Sequence, residues 1–250
     1  VPRLSDITVV VPTRNEAANV TGFLRSLPAE VALIVVDNSS DATREIIVAT
    51  RPDRTRVLFF GGTLTEARQL GALSASTPWL LFTDADVVFA DDYFERLNAI
   101  TDAEVVYGRK LSRDRYRSYY HWFARGQGFL HALGWPCASG SNLLVAVSAF
   151  QRVGGFDVDL KCNEDSELVW RLHDQGFSCA FEPRLIAWAA DHRRLDRGAF
   201  AKTMHTLARC VLLRTGLMPR RWRAADWGYW RPRPGEEPGA SSAARPSGTP

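Results

Sequence analysis

The segment Trp79-Leu80-Leu81-Phe82-Thr83-Asp84-Ala85-Asp86 is a short apolar run followed at once by two carboxylates. Its brevity predicts a buried strand with a charged end, since a helix needs a longer stretch. Moving towards the N-terminus, Leu64–Ser74 has helical spacing and Arg56–Phe60 (RVLFF) is strand-like. Ala42–Ala49 reads as a helix, with Ser39, Ser40 and Asp41 available as caps. Val31–Val36 (VALIVV) and Ile7–Val11 (ITVVV, ended by Pro12) are two more buried-type strands. A helix is expected over Glu16–Leu27, with Asn15 as its cap. Continuous apolar runs alternating with helices predict an α/β fold built on a mostly parallel sheet covered on both faces.

The second half is less regular. Ala103–Tyr107 and Asn142–Val147 are candidate strands, the latter followed by a short helix ending at Gly154-Gly155. Arg115–Leu133 is aromatic and basic, and reads as a helix broken near Gly126 and Gly128. Asn163–Gln175 is a helix stopped by Gly176, and Arg197–Thr215 is an amphipathic helix. From Arg231 to Pro250 the composition collapses to Pro, Gly, Ser, Ala and Arg, so 231–250 is expected to be a disordered tail.

Composition narrows the function classes. The 250 residues are 46% hydrophobic and 24% charged, ordinary for a globular chain with one sizeable core. A net charge of +3 is too mild to argue for a nucleic-acid partner. Cys137, Cys162, Cys179 and Cys210 are widely spaced with no CxxC pair, which argues against a thiolate zinc site and a disulfide framework. No run approaches the ~20 apolar residues of a spanning helix, and no signal peptide is recognisable at Val1. A cytoplasmic location is expected, with a peripheral contact at the inner face of the cell membrane left open.

In doubly wound sheets, ligands bind beyond the carboxyl ends of the strands. Here those ends carry Pro12-Thr13-Arg14-Asn15-Glu16, Asp37-Asn38 and Asp84-Ala85-Asp86. Asp84 and Asp86 are hard oxygen ligands suited to a divalent cation, Mn²⁺ or Mg²⁺, shared with a diphosphate; the alternative is a solvated acidic turn. Asp37 is either a turn residue or an acceptor for a nucleobase N–H or ribose hydroxyl. Glu164 and Asp165 open a helix, where the dipole favours acids anyway; Asp165 is also a candidate general base. His192 is a structural histidine or a metal ligand, and the adjacent Arg193-Arg194 could neutralise phosphate.

Six segments, in order, resemble glycosyltransferase family 2, inverting enzymes of the GT-A fold: VVVPTRNEAANV, IVVDNSSDAT, TLTEARQLGA, LLFTDADVVF, GSNLLVAVSAFQRVGGFD and NEDSELVWRLHDQG, running on to His192. The resemblance weakens between Asp102 and Cys137 and ends near Trp230. It implies one GT-A domain over 1–230, with 1–110 binding the nucleotide-sugar and 111–230, including a helical C-terminal region, binding the acceptor. It further implies that Pro12, Thr13, Arg14, Glu16, Asp37, Arg68, Asp84 and Ala85 line the donor site. Gly140, Ser141, Asn142 and Glu164 would face the acceptor, Asp165 would be the base, and Asp86 with His192 would bind the metal.

Two departures from the family pattern stand out. Asn38 stands where a second acid is common, with no glycine after it. Arg220-Arg221-Trp222 does not reproduce the Gln-x-x-Arg-Trp motif of processive synthases, so a single-addition transferase is favoured. A nucleotidyltransferase is disfavoured because no glycine loop follows the first strand, and a dehydrogenase because no GxGxxG is present there. A non-catalytic nucleotide-sugar-binding module of the same fold is the other alternative. Aromatic-basic composition in 113–135 and 209–230 raises two readings: a lipid-linked or hydrophobic acceptor met at a membrane surface, or ordinary core packing with arginines in solvent.

Overall fold

The structure is a computed structural model and describes residues 2–196 and 198–225, apart from the side chains of Arg194 and Phe200. The expected tail 231–250 lies outside the described residues, as do Trp227, Trp230 and Arg197. The N-terminal half runs β1 (Ile7–Thr13), α1 (Val20–Arg25), β2 (Ala32–Asp37), α2 (Thr43–Thr50), β3 (Thr55–Phe59), α3 (Leu64–Leu73) and β4 (Trp79–Phe82). Then come β5 (Val87–Phe89), α4 (Tyr93–Asn98), β6 (Val105–Ser112), α5 (Arg117–Ala132), β7 (Leu143–Ala146) and α6 (Val147–Arg152). The chain continues through α7 (Glu164–Asp174), β8 (Cys179–Ala189), α8 (Arg193–Asp196), α9 (Ala199–Arg214) and α10 (Arg220–Arg223).

These strands form one eight-stranded sheet in the order β3-β2-β1-β4-β7-β6-β8-β5. The pairs β1–β2, β1–β4, β2–β3 and β6–β8 are parallel, whereas β4–β7, β6–β7 and β5–β8 are antiparallel. The all-parallel half therefore ends at β4. Alternation along β1 feeds both faces: Val9 and Val11 pack with Phe23 and Ile47, and Val10 packs with Phe82 and Phe150. Each such fully buried side chain contributes about 1.5–3 kcal/mol. Helix α3 lies on β1 and β2. It comes close because Gly71 has no side chain; a Cβ there would sit 2.4 Å from Val10 Cγ1.

Several expected boundaries move. Strand β1 continues through Pro12 instead of ending there. The Val10 carbonyl faces β4, accepting Thr83 N–H, and the Thr13 carbonyl faces β2, accepting Asn38 N–H. By alternation Pro12 faces the β4 side, where pairing has already ended at Val10↔Phe82, so its missing N–H costs no ladder bond. Helix α1 begins at Val20, not Glu16, and Asn15 is no cap; it has φ 55° and its Oδ1 accepts Ser40 N–H at 2.9 Å. Helix α5 runs unbroken through Gly126 and Gly128. At Gly128 the missing Cβ makes room for the Phe181 ring, which it would meet at 3.0 Å. Strands β5 and β8 and helices α4, α8 and α10 are additions to the expected set. No helix among the described residues is long and apolar enough to cross a membrane.

Candidate active site

Three parallel strands end side by side. Thr13 of β1 is in register with Asp37 of β2, and Thr83-Asp84 follow β4. Strand β7 runs antiparallel to β4, with Leu143 opposite Phe82, so its leading residues Gly140-Ser141-Asn142 lie beside Asp84. The register is fixed there by Thr83, whose hydroxyl donates to the Ser141 carbonyl at 3.0 Å. Ser141 Oγ in turn donates to Asp84 Oδ2.

Arg68, buried on α3, ties this corner to the N-terminus of α7. Its guanidinium donates to Asp84 Oδ1 at 2.7 Å, to the Gly140 carbonyl at 3.3 Å, and to Glu164 Oε1. A Cβ at Gly140 would stand 2.6 Å from Arg68 Nη1, so any side chain there would displace the guanidinium. One buried cation thus serves two buried carboxylates. Burial still pushes the Glu164 carboxyl up to about 7, against the lowering effect of Arg68, and neighbouring Asp165 adds to the rise.

Asp165 is less enclosed than Glu164. Its Oδ2 accepts Gly140 N–H at 2.6 Å and its Oδ1 accepts Ser166 N–H at 2.7 Å. Desolvation raises its pKa, with Arg68 and these two backbone donors opposing the rise. The backbone bonds aim the carboxylate, and a base must be aimed before its pKa matters.

Asp86 follows Asp84 at the start of β5, its carbonyl accepting Ala190 N–H at 2.7 Å. Lys110 of β6 comes between the two acids: Nζ lies 3.4 Å from Asp86 Oδ1 and 3.6 Å from Asp84 Oδ2. Glu16 belongs to the same neighbourhood. Burial raises its pKa, and the charge of Asp86 raises it further. Arg193 ion-pairs with Glu16, and its Nε lies 2.5 Å from Asp191 Oδ2.

Asp84 and Asp86 therefore fit a divalent cation on this geometry: two hard carboxylates share a position already favourable to positive charge, with Lys110 Nζ beside it. The expected third ligand is placed differently. His192 Nε2 lies 2.9 Å from Asp114 Oδ1, and Nδ1 lies 3.3 Å from Tyr120 Oη, with the Tyr116 and Tyr120 rings both 5.7 Å away. Both ring nitrogens are engaged inside the chain. The Ser112 hydroxyl, and then His192, hold the Asp114 carboxyl well below the usual carboxylate range. Among the described residues no three His, Cys, Asp or Glu side chains cluster as a metal site.

Other expected residues are redirected as well. Thr13 donates its hydroxyl to Asp37 at 2.7 Å. Asp37 is fully buried and also accepts Ser39 Oγ at 2.6 Å and Arg44 Nη2 at 3.1 Å, so its carboxylate is committed to holding the end of β2. Pro12 is buried in the sheet, Arg14 is half-buried at its end, and the Ala85 side chain packs into the core. Asn142 is buried and spent on structure: it accepts Tyr93 Oη at 2.6 Å and donates to the Arg109 and Leu185 carbonyls. Arg193 holds Glu16 instead of standing ready for phosphate, and the Arg194 side chain lies outside the described residues. Sequence reasoning did not single out Lys110 for the site; one lysine in a strand carries no local signal.

The aromatic-basic segments divide. On α5, Tyr120, Ala124 and Gln127 face inward, while Trp122 and Phe129 are 70% and 66% exposed. Arg214 and Arg223 are consumed by ion pairs with Asp174 and Asp157. Arg209 is buried, bonded to Asn163 and to the Cys162 and Trp222 carbonyls.

Comparison with known proteins gives the family and the fold. Residues 8–153, more than half of the chain, match the family described as glycosyl transferase family 2. Succinoglycan biosynthesis protein ExoA of Rhizobium meliloti is 28% identical over 192 residues, covering 68% of this chain and 58% of that protein. A pre-mycofactocin glycosyltransferase of Mycobacterium tuberculosis is 30% identical over 218 residues, covering 80% of this chain and 46% of that one. The chain thus spans about half the length of these curated relatives. Among solved structures, a mannosyltransferase of Pyrobaculum calidifontis in complex with GDP-Man and Mn²⁺ superposes with a TM-score of 0.60. It is 20% identical, and the match covers 88% of this chain and 72% of that one; at this identity the likeness concerns the GT-A fold.

Proposed function

Because the chain belongs to glycosyl transferase family 2, we propose that it moves a sugar from a nucleoside-diphosphate sugar to an acceptor hydroxyl, with inversion at the anomeric carbon. The observation that carries this reading is the single Arg68 joining Asp84, at the donor end of β4, to Glu164 beside Asp165. It supports a donor corner and a proton-accepting corner that share one wall of the same site.

In this reading Asp84 and Asp86 hold a divalent cation, Mn²⁺ or Mg²⁺. When bound, that ion supplies Lewis-acid neutralisation of the leaving diphosphate. Asp165 takes the acceptor proton. It is preferred to Glu164 because Glu164 is the more enclosed and is ion-paired with Arg68. Gly140 N–H holds the Asp165 carboxylate in place, and Glu16 and Asp37 shape the nucleoside side of the site. His192, bonded to Asp114 and Tyr120, ties the start of α5 to the chain after β8.

A hydrophobic or lipid-linked acceptor is supported by Trp122, Phe129 and Leu133, which recur at helical spacing on the exposed side of α5. Flotation with anionic liposomes should carry the protein upward, and Trp122→Ala with Phe129→Ala should reduce it. Absence of any flotation would remove the membrane part of the reading.

The catalytic part is tested by nucleotide release from UDP-, GDP- and dTDP-sugars with Mn²⁺. Asp86→Ala and Asp165→Asn should each lower turnover by at least about 100-fold. A protein that binds a nucleotide-sugar and Mn²⁺ yet shows no release with any acceptor tried would instead be a binding module. Full activity in Asp165→Asn would exclude that residue as the base.

A further inference from the structure

Lys110 occupies an unusual position for a strand lysine. Pairing between β6 and β7 ends at Tyr107↔Leu143, and β6 runs on beside the open edge that Gly140-Ser141 leave. Its ammonium, largely buried, donates to Ser141 Oγ at 3.1 Å and stands 3.4 Å from Asp86 Oδ1 and 3.6 Å from Asp84 Oδ2. Arg68 takes the other oxygen of Asp84. A lysine ammonium is a compact point charge, so in this place it does electrostatically what a metal ion would do: it screens two carboxylates from each other.

A divalent ion shared by Asp84 and Asp86 would draw on the same two carboxylates that face Lys110. An ammonium and a doubly charged ion brought onto the same two carboxylates repel each other, so each weakens the other's hold. We propose that Lys110 is a built-in counter-ion that competes with the divalent cation for Asp84 and Asp86, so that the metal enters together with the donor rather than ahead of it. The inference rests on the reading above that these two acids hold the metal. Once displaced, the ammonium lies beside the incoming diphosphate, whose oxygens give it a new partner. Metal binding and nucleotide binding are then coupled through one side chain, each favouring the other.

The test is Mn²⁺ binding by electron paramagnetic resonance on the full chain, with and without UDP or GDP. Wild type should bind Mn²⁺ weakly alone and more tightly with the matching nucleotide. Lys110→Met should bind Mn²⁺ alone at least about tenfold more tightly than wild type, and should lose most of the nucleotide-induced gain. Lys110→Arg, which keeps the charge, should remain weak. If Lys110→Met binds Mn²⁺ alone no better than wild type, while nucleotide still recruits the ion to both, the counter-ion role is wrong and the metal reading survives. If Mn²⁺ binds neither protein under any condition, both fall.

A second measurement needs no variant at position 110. The chain has lysines only at Lys110, Lys161 and Lys202, so ¹³C-labelled lysine side chains give three resonances. These are assigned with Lys161→Arg and Lys202→Arg. Adding Mg²⁺ with UDP or GDP should move the Lys110 resonance alone. A Lys110 resonance that stays fixed while the nucleotide binds overturns the proposal.

Discussion

Glu164→Gln should stabilise the metal-free protein at alkaline pH, and the gain should vanish in acid. Glu164 is buried, and its pKa rises from an ordinary 4.5 to about 7. Between those values the folded protein holds a proton that the unfolded chain has released, so stability falls as pH rises through the window. Below about 4.5 both states are protonated and the penalty is absent; above about 7 it is complete. At 1.36 kcal/mol per unit the full penalty is about 3 kcal/mol. Glutamine keeps the shape and carries no charge. It weakens the bond to Arg68, which offsets about 1 kcal/mol, but Arg68 retains Asp84 at 2.7 Å. The net gain at pH 8 is therefore about 2 kcal/mol, and the variant is slightly destabilised at pH 4.5. Urea denaturation in EDTA at half-unit pH steps measures both proteins. Groups distant from the pair cancel in the difference, and Asp165, which loses a neighbouring charge in the variant, titrates with Glu164, so the change of about 3 kcal/mol across the window belongs to the pair. A difference that does not vary with pH would show that Glu164 is already ionised in acid, and the desolvation argument would fail.

Three further substitutions probe the scaffold. Gly140→Ala places a methyl 2.6 Å from Arg68 Nη1; it should cost about 1–3 kcal/mol and lower Mn²⁺-dependent turnover, and neutrality in both assays would mean Arg68 is not held there. Leu81→Ala empties a fully buried site on β4 and should cost about 2–5 kcal/mol in urea denaturation; a cost under 1 kcal/mol would contradict its place in the core. Thr63→Ala removes half of the capping box that Thr63 forms with Glu66; it should cost about 0.5–2 kcal/mol, and an unchanged melting temperature would show that α3 does not depend on its cap.

What could be read from the sequence was what local pattern encodes. The run Trp79–Phe82 coincides with β4, because Pro78 before it and the polar Thr83 after it bound the four apolar residues. The acids at strand ends were visible for the same reason. Three kinds of feature were not. Asn15 looked like a helix cap because a polar residue preceding an apolar period usually is one; here its partner is Ser40, on the loop after the neighbouring strand. Strand β8 spans Cys179–Ala189, a span that no local pattern marks as a strand. Its polar first half includes Glu182 and Arg184, and it is held in the sheet by pairing to β6 rather than by its own hydrophobicity. His192 carried the composition of a metal ligand, but Asp114 and Tyr120, both far away in sequence, claimed its ring nitrogens. Partners that decide a polar side chain's role lie a sheet's width away, and no local window contains them.

Charge balance gives an argument about order that does not depend on any relative. The groups placed at the site include the carboxylates of Glu16, Asp84, Asp86, Glu164, Asp165 and Asp191, set against Arg68, Lys110 and Arg193. Burial raises the pKa of Glu16, Glu164 and Asp165, so this crowded group of acids resists further negative charge. A diphosphate approaching alone would add negative charge to a region that is already straining to lose it. A divalent cation arriving alone would have to evict Lys110 and leave that ammonium without its acids. Entering together, cation and diphosphate neutralise each other, and the displaced ammonium gains an anionic partner. The cheapest path for either ligand is the one that brings the other, because three cations from three separate elements are already committed to the acids before any ligand arrives.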